Sequence, residues 1–414
     1  MNIKYIFIVF CIVHCSPLLH ATTIWVDAQK NNTVSITKAL EIANSGDTVL
    51  VFEGVYKEKN IVIRKPVVLI GSGTPVLDGE NEYEIISVHA NNVVVRGFEI
   101  KNSGTSGILD IAGLKIYNAR YVTVSGNKFT NCFFGIYAQQ CADCLIENNE
   151  LTAAKGEKQQ SGNGIHCWKC DSMQIIANTI AGHRDGIYFE FVTNSIIWRN
   201  TSTHNLRYGL HFMFSNQDTY AMNIFENNGA GVSVMFSHDV HMYHNYFTHN
   251  WGDGAYGILL KEISDSYVEG NYFTGNTTGI YMEGASRIHM IKNVFRDNGW
   301  GLKIQASSMD VELTNNNFLG NTFDVATNGS LVLNKFNNNY WDKYEGYDLN
   351  KDKIGDVPYR PVSMYSMIIE KYPPAMLLFH SLITTLLDRS EKVIPSLTPE
   401  SLKDNSPLMQ PLKL

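Results

Sequence analysis

The sequence predicts an all-β fold: a right-handed parallel β-helix with a capping helix at its N-terminal end and a C-terminal extension that contains short helices. A glycine followed by an apolar residue recurs at intervals of 29, 22, 23, 22, 26, 22 and 22 residues. After each glycine, apolar residues stand at alternate positions. An asparagine stands fourteen residues after most of these glycines. Such a repeat is typical of a solenoid of stacked units. The glycines are Gly135, Gly164, Gly186, Gly209, Gly231, Gly257, Gly279 and Gly301.

The alternation behind each glycine predicts strands. Apolar residues stand one and three positions after the glycine, and a period of two indicates a strand with one buried face. We expect two short strands and two corners in each coil of about 22 residues, with neighbouring coils paired in parallel. The handedness of parallel crossovers predicts right-handed winding.

The recurring asparagines are predicted to be structural rather than catalytic. Asparagine tolerates left-handed backbone angles, and its amide can bond both local backbone and the asparagine of the next coil. A column of asparagines therefore suits a corner of the solenoid. Its members are Asn149, Asn178, Asn200, Asn223, Asn245, Asn271 and Asn293.

The chain divides into a signal peptide at residues 1–21, a β-helix at 22–340 and a cap with a partner-docking tail at 341–414. The apolar run from Tyr5 to Val13 follows Lys4 and is too short for a membrane span, so it predicts export to the periplasm. Lipid attachment at Cys15 stays an open alternative. The segment from Ser35 to Ala43 has helical spacing behind a capping serine and is predicted to cover the open end of the stack.

The overall charge argues against nucleic acid as a partner. The 414 residues carry a formal net charge of −7, and only 18% of them are charged. The chain has no basic stripe of the kind that binds a phosphate backbone.

Two Cys-x-x-Cys pairs lie in adjacent coils, at Cys141 and Cys144 and at Cys167 and Cys170. Cys141 and Cys170 share one position of the repeat, so we expect them to stack as structural cysteines or as a disulfide. A metal site is the alternative, because the spacing is also that of structural zinc sites.

Soft metal ligands collect on one outer face of the predicted strands. His166 and His211 stand two residues after their glycines, and Glu190, Met213 and Met235 stand four after theirs. Because stacked strands lie about 4.8 Å apart, these side chains should be neighbours. Thioether and imidazole together favour copper. The alternative is that the methionines fill packing gaps and the histidines are surface residues.

The carboxylates give little indication of catalysis. β-helix enzymes acting on acidic polysaccharides need paired or clustered carboxylates, whereas the outward acids here are scattered along the repeat. A non-enzymatic protein is therefore predicted, with a polysaccharide-binding or polysaccharide-modifying lyase, hydrolase or epimerase as the alternative. The outward acids are Asp185, Glu190, Asp253, Glu262, Asp265 and Glu283.

An acidic loop follows the last coil. Asp348, Asn350, Asp352 and Asp356 have the spacing of the first ligands of a calcium loop. Lys353 occupies the place of the expected glycine, and a hydrogen-bonded turn that caps the solenoid is the alternative.

The C-terminal extension contains an apolar run from Ala375 to Leu387. Its thirteen residues are too few to cross a bilayer of about 30 Å, so we expect it to cap the stack, lie at a membrane surface or dock on a partner. The tail after Ile394 is expected to add no core and to wrap around another protein. The predicted docking residues are Met376, Leu377, Leu378 and Phe379.

The signal peptide, the coils and the C-terminal sequence together resemble the NosD family. The most specific part is Asn339-Tyr-Trp-Asp342, then the segment from Gly346 to Pro361, and Pro395-Ser-Leu-Thr-Pro-Glu400. The resemblance implies a periplasmic protein without turnover that helps to assemble the copper–sulfur centre of nitrous oxide reductase. It also implies as partners an ABC transporter permease with its ATPase and a copper chaperone, with membrane contact through the permease and copper as transient cargo. No family motif fixes the copper ligands, so His211, Met213 and Met235 rest on the repeat register alone.

Overall fold

The computed structural model describes residues 21–29, 34–106, 108–153, 162–329, 333–379, 381–393 and 402–414. Residues 1–20, with nearly all of the predicted signal peptide and Cys15, lie outside the described residues, as does the loop at 154–161. The described part is a parallel β-helix, as the repeat predicts, and it is built from three parallel sheets.

Each full coil contributes one strand to each of three sheets, so the expectation of two strands per coil is wrong. The glycine register marks the strands of sheet C, which reach six residues and show the alternation clearly. In most coils the strands of sheets A and B are only three residues long and lie on either side of the recurring asparagine. A strand of three residues is too short to show a period of two.

The strands are given by sheet. Sheet A contains Thr23–Val26, Thr48–Val51, Val68–Gly71, Val94–Arg96, Thr123–Ser125, Leu145–Glu147, Gln174–Ile176, Ile196–Trp198, Thr219–Ala221, His241–Tyr243, Ser264–Glu269, Ser286–Ile291, Met309–Thr314 and Lys335–Asn337. Sheet B contains Val55–Tyr56, Val76–Asp78, Glu99–Lys101, Lys128–Thr130, Glu150–Thr152, Thr179–Ala181, Thr201–Thr203, Ile224–Glu226, Tyr246–Thr248, Tyr272–Thr274, Val294–Arg296, Asn317–Leu319 and Tyr340–Trp341. Sheet C contains Ile61–Ile63, Ile86–Val88, Ala112–Tyr117, Phe134–Gln139, Ile165–Trp168, Asp185–Glu190, Tyr208–Met213, Ala230–Met235, Ile258–Lys261, Thr278–Glu283, Trp300–Ile304 and Phe323–Thr327.

Four helical segments of the described chain lie at the two ends of the stack. Helix α1 (Ile36–Ile42) begins at Ser35, whose hydroxyl accepts the Lys38 N–H at 3.1 Å, and it packs on the first strands as predicted. At the other end lie α2 (Met364–Lys371), a 3₁₀ helix (Pro373–Leu378) and α3 (Leu382–Val393).

A continuous asparagine ladder runs inside the corner between sheets A and B. Each asparagine donates its backbone N–H and its Nδ2 to Oδ1 of the next, as Asn223 does to Asn245 at 3.0 Å for both bonds. The left-handed angles belong to the residue before the asparagine, such as Met222, and not to the asparagine itself. The side chain is therefore selected for its amide rather than for its backbone freedom. The ladder contains Asn127, Asn149, Asn178, Asn200, Asn223, Asn245, Asn271, Asn293, Asn316 and Asn339.

The end of the chain forms part of the solenoid, contrary to the expectation for the tail. Leu402 and Asp404 are fully buried, and Asp404 forms a parallel bridge with Phe336. Asn339 gives both of its ladder hydrogen bonds to Asp404 Oδ2 at 3.0 Å. Residues 402–414 thus pack on the last coils, because the stack would otherwise end in unpaired amides. Residues 394–401 lie outside the described part of the chain.

The corner between sheets C and A contains shorter polar columns. Ser195 accepts the Met173 N–H at 2.9 Å and donates its hydroxyl to the Thr193 carbonyl at 2.8 Å. Asp218 occupies the same column one coil later, where its Oδ1 accepts the Ser195 N–H at 2.8 Å and its buried Oδ2 has no partner among the described residues. Burial therefore raises the pKa of Asp218 to about 8.

We expect Asp218→Ser to stabilise the protein at neutral and alkaline pH. The folded protein keeps a proton on Asp218 that the unfolded chain, with an ordinary aspartate pKa of about 3.9, has already lost. The free energy of unfolding of the wild type should consequently fall as the pH rises from about 4 to about 8. Serine satisfies the same backbone N–H without this titration. Urea unfolding at pH 5 and pH 8 should show a gain for the variant that is larger at pH 8. Asp253→Ser on an exposed loop is the control, and an equal change at both pH values would contradict the assignment.

Candidate functional site

The predicted soft ligands lie on the outer face of sheet C, where the repeat register places them. The first column of this face runs through Tyr137, His166, Tyr188 and His211, each the backbone partner of the next. Ring centroids are 4.5 Å apart for Tyr137 and His166 and 4.7 Å apart for the next two pairs. Both histidines are buried: Tyr137 and Tyr188 pack on the two sides of His166, and Tyr188 and Tyr208 pack against His211.

The structure separates His166 from His211 by their partners. Asn163 Nδ2 lies 3.2 Å from Nδ1 of His166, and Arg184 Nε donates to Asn163 Oδ1 at 3.3 Å, which fixes the amide orientation. Nδ1 of His166 therefore accepts a hydrogen bond, and its proton sits on Nε2. Burial, and then the Arg184 charge, lower the pKa of His166 to about 3. A neutral imidazole with a protonated Nε2 has no lone pair on that atom with which to bind a metal.

His211 has the opposite arrangement. Its Nδ1 lies 3.5 Å from Oδ2 of the fully buried Asp185, and Arg207 forms a two-point ion pair with the same carboxylate. Arg207 Nη2 also lies 3.3 Å from Nδ1; we assign the Nδ1 proton to the bond with Asp185, because an ionised carboxylate can only accept a hydrogen bond. This leaves the lone pair of Nε2 free, and no described residue pairs with that buried atom. A carboxylate behind the imidazole is the usual support of a metal-binding histidine.

The Asp185 carboxylate stays ionised despite its burial. Burial alone would raise its pKa, but hydrogen bonds from Arg207 and His211, together with the charge of Arg207, hold the pKa of Asp185 below its ordinary value. The hydrogen bond from Arg207 to Asp185 also raises the pKa of Arg207. The Asp185 carboxylate therefore stays ionised beside the imidazole of His211, and the Arg207 guanidinium balances its charge.

The second column of the face contains the methionines. Glu190, Met213, Met235 and Lys261 are successive backbone partners, and Lys261 forms an ion pair with Glu283 at 3.3 Å. Met213 and Met235 are half-buried. His211 and Met213 lie on one strand with a single residue between them, so both point to the same face. The structure thus brings His211, Met213 and Met235 together, with Glu190 beside Met213 and His166 two strands away.

An exposed aromatic ladder borders the methionines. Phe191, Phe214 and Phe236 follow Glu190, Met213 and Met235 in sequence and stack with centroids 5.2 and 5.1 Å apart. All three have φ angles of 52 to 54°, in the left-handed region. That conformation costs roughly 1–2 kcal/mol for a residue with a Cβ. The same angle recurs at this corner in neighbouring coils, at Gln140, Lys169 and Glu262, so it belongs to the fold. Phe191 and Phe214 are 44 and 41% exposed, and exposed stacked rings are more typical of a contact surface than of packing.

The sequence pattern does not reveal the pair that orients His211. It leaves Arg207 undistinguished and places Asp185 among the scattered acids. The sequence signal that could have found Arg207 is its place in the repeat, because Arg184 and Arg207 each stand two residues before the glycine of their coil. Within the ranges that the structure describes, no three His, Cys, Asp or Glu side chains form a metal-binding group. A site here therefore depends on thioether ligands.

The acidic loop gives no support to calcium. Asp348 accepts the backbone N–H groups of Lys351 and Lys353 at 2.6 and 2.8 Å, and Asp356 accepts that of Leu349 at 2.7 Å. Asn350 Nδ2 donates to Asp352 at 3.0 Å. The oxygens that would bind a cation are committed to the loop itself, which is the hydrogen-bonded turn.

The five cysteines of the described chain are buried free thiols, and the structure contains no disulfide between Cys141 and Cys170. These two residues stack in adjacent coils, and the Cys141 N–H points at Cys170 Sγ at 3.4 Å. Their column lies inside the corner between sheets C and A, away from the outer face.

The predicted docking residues are exposed to different degrees. Leu377 is 91% exposed, and Met376, Leu378 and Phe379 are 41 to 42% exposed. Phe379 also packs its ring near Phe323. The apolar surface continues on α3, where Leu382, Ile383 and Leu386 are 76, 53 and 53% exposed. No helix in the described ranges is long and apolar enough to span a membrane.

The chain is similar to known proteins over most of its length. A family model described as periplasmic copper-binding protein (NosD) matches residues 152–351. A relative from Stutzerimonas stutzeri, named probable ABC transporter binding protein NosD, is 26% identical over 368 residues, which are 84% of this chain and 84% of the relative. The relative of the same name from Pseudomonas aeruginosa is 27% identical over 370 residues, or 85% and 86% of the two chains.

Two solved structures share the architecture. The catalytic unit of a GH87 α-1,3-glucanase from Streptomyces thermodiastaticus aligns with a TM-score of 0.59 at 13% identity, over 77% of this chain and 70% of that one. PfbA, a surface adhesin of Streptococcus pneumoniae, aligns with a TM-score of 0.52 at 14% identity, over 74% and 88%. At such identities the likeness concerns the fold alone.

The fold and these matches define a solenoid protein of the parallel β-helix class. Within that class, the resemblance to the NosD family is confirmed by the family model and by both relatives, which together extend over most of the chain.

Proposed function

We propose that this protein is a non-enzymatic periplasmic accessory protein that carries copper for assembly of the copper–sulfur centre of nitrous oxide reductase and works with an ABC transporter. The family description and the names of the relatives support the compartment, the metal and the transporter class. The observation that carries the proposal is the oriented His211 imidazole beside the adjacent thioethers of Met213 and Met235.

Copper is the cargo of this protein, bound by His211 Nε2 and the two thioether sulfurs. These donors are soft and neutral, which suits Cu(I) better than hard cations. Asp185 supports the imidazole from behind, because its carboxylate accepts the hydrogen bond from Nδ1 and so leaves Nε2 for the metal. Glu190 borders the site on the side of Met213. A ligand set without thiolate or a closed carboxylate cage is suited to release as well as to binding.

The copper chaperone is proposed to dock on the exposed ladder of Phe191, Phe214 and Phe236. This ladder lies directly beside the methionine column, so a protein seated on it would face the thioethers. The exposure of the Phe191 and Phe214 rings is the feature that a contact function explains.

The permease is proposed to dock on the exposed apolar surface of the 3₁₀ helix and α3. Leu377 and Leu382 are its most exposed members. This surface lies at the C-terminal end of the stack, where α2 packs against the last strand of sheet C. Because residues 402–414 belong to the solenoid, the docking role is confined to the helices.

The copper site predicts that Met213→Ala/Met235→Ala loses Cu(I) at the outer face. Removing both thioethers leaves one imidazole, which holds Cu(I) weakly. Anaerobic titration against a colorimetric Cu(I) chelator should show one bound equivalent fewer than in the wild type. Met309→Ala, which alters an exposed methionine on sheet A, is the control and should titrate like the wild type. Unchanged binding in the double variant would rule out the thioether site.

Asp185→Asn is expected to weaken Cu(I) binding at His211 by about 10- to 100-fold, the usual effect of losing the partner behind a histidine ligand. The carboxylate no longer holds the proton on Nδ1, so Nε2 is less available. The same chelator competition measures the change. Asp265→Asn, which breaks the exposed ion pair with Arg287, is the matched control. Equal affinities for Asp185→Asn and the control would remove His211 from the site.

The docking surface predicts that Leu377→Asp/Leu382→Asp abolishes co-purification with the permease while leaving the melting temperature unchanged. Both side chains are more than 75% exposed, so the solenoid does not depend on them. Leu349→Asp in the acidic loop, where the leucine is 77% exposed, controls for an added surface charge. Retained association of the double variant would place the permease elsewhere.

A further inference from the structure

The lone pair of His211 lies on the outer face of sheet C and yet is closed off from solvent. Its Nε2 is buried without a partner among the described residues, and the whole residue is only 5% exposed. Ser233, the backbone partner of His211 in the next coil, points to the same face and is fully buried. Leaving a buried polar atom unpaired is costly, so the cover over these residues needs an explanation.

Tyrosine rings form part of this cover. The Tyr208 ring packs against the His211 ring with centroids 4.9 Å apart. Tyr208, Ala230 and Tyr256 occupy one position in three successive coils, since Ala230 is the backbone partner of Tyr208 and the next residue, Gly231, donates its N–H to the Tyr256 carbonyl at 2.8 Å. The Tyr256 ring reaches across the small alanine and stacks on Tyr208 with centroids 6.5 Å apart. Burial raises the pKa of Tyr256, which agrees with a ring held against the protein.

The two tyrosines differ in how firmly they are held. Tyr208 donates its backbone N–H to Asp185 at 3.3 Å, and its ring lies 4.9 Å from the guanidinium carbon of Arg207. Tyr208 is thereby tied to the ion pair that supports His211.

Tyr256 follows a loop instead. Its coil is longer than most, with 26 residues from Gly231 to Gly257 rather than 22. The residues from Trp251 to Gly254 are exposed, and the structure leaves open space beside Gly252 and Gly254. The Tyr256 ring is therefore the member of the pair that can move without disturbing the ion pair.

We propose that Tyr256 is a movable cover of the outer-face copper site: its ring, resting on Tyr208, closes Nε2 of His211 from solvent, and copper enters and leaves when the ring moves away. This inference rests on the proposed function. Met213 and Met235 are only half-buried, so an arriving ion meets the thioethers first and the imidazole once the cover opens. The closed cover keeps water away from the bound ion.

A cover of this kind controls rates rather than affinity. Tyr256 is not a ligand, so losing its ring removes no bond to the metal. Opening precedes both entry and exit of the ion, and a change in opening alters the two rates together. The equilibrium affinity for Cu(I) should therefore stay the same while exchange becomes faster.

The first measurement needs no copper. The full mature chain is treated with diethyl pyrocarbonate, and the labelling of each histidine is followed over time by peptide mass spectrometry. In the wild type, His211 should react more slowly than the exposed His238 and faster than His183, which is buried in the core. Tyr256→Ala should raise the rate at His211 roughly 2- to 10-fold, the factor that corresponds to losing one aromatic ring contact. His166, which lies between Tyr137 and Tyr188, should keep its wild-type rate.

The second measurement follows the metal. Cu(I)-loaded protein is mixed anaerobically with an excess of a colorimetric chelator, and Tyr256→Ala should release its ion roughly 2- to 10-fold faster at unchanged affinity. Tyr246→Ala is the matched control, because this tyrosine is 45% exposed and stacks on Tyr272 on sheet B, away from the site. Labelling rates as expected in a protein that binds no copper would contradict the proposed function while leaving Tyr256 as the cover of His211.

Three results would overturn the inference. If wild-type His211 is labelled as fast as His238, the imidazole is not covered, and if it is labelled as slowly as His183, the cover does not open. Neither of these results depends on a variant that folds. The third is an unchanged labelling rate at His211 in folded Tyr256→Ala, which would show that other residues close the site.

Discussion

The buried amide ladder is the constraint on which the rest of this structure depends. Every ladder asparagine uses its backbone N–H, its side-chain amide and its side-chain oxygen at once, and it also bonds a backbone carbonyl of the preceding coil, as Asn223 does with Ile197. A coil shifted by one residue would bury these groups unpaired, at about 1–3 kcal/mol each. The ladder thereby fixes the register of the coils from Asn127 to Asn339, and fixed register turns equivalent positions into columns.

The ladder also explains how the stack can end. Each asparagine donates two hydrogen bonds to the asparagine of the next coil. The last asparagine therefore needs a residue that accepts two hydrogen bonds and donates none onward. Asp404 meets that demand with a carboxylate that accepts from Asn339 and also from the Trp341 indole at 3.1 Å. Its other oxygen accepts the Ser406 N–H at 3.0 Å, which an asparagine amide nitrogen would oppose. The chain thus closes the solenoid with a residue from its own C-terminus, while α1 covers the opposite end.

The sequence reveals most directly which residues of neighbouring coils are partners, and it reveals least how their side chains are oriented. The glycine and asparagine spacing correctly predicts that Met213 and Met235 are backbone partners and that Glu190 lies beside Met213. It does not predict the third sheet, because strands of three residues carry no period. It also treats His166 and His211 as equivalent, since both occupy the same repeat position.

The difference between the two histidines comes from residues outside that position. An amide faces Nδ1 of His166, and a carboxylate faces Nδ1 of His211. The contacts of Asn163 and Asp185 depend on loops and ion pairs that are specific to their coils. An alignment of the repeats does not show these contacts. The tail is a similar case: Leu402 and Asp404 reach the last coil across residues that no periodicity connects to them.

A solenoid with fixed register imposes its own rule on metal chemistry. Ligands on neighbouring strands come in pairs about 4.8 Å apart, and a third ligand must come from two residues along the same strand. That arrangement favours ions of low coordination number over tetrahedral or octahedral ones, which need donors converging from several directions. Cu(I) is such an ion, and the proposed thioether and imidazole ligands on the outer face match it. This ligand set carries no charge and lies beside the stacked rings of Phe191, Phe214 and Phe236, so it is suited to exchange.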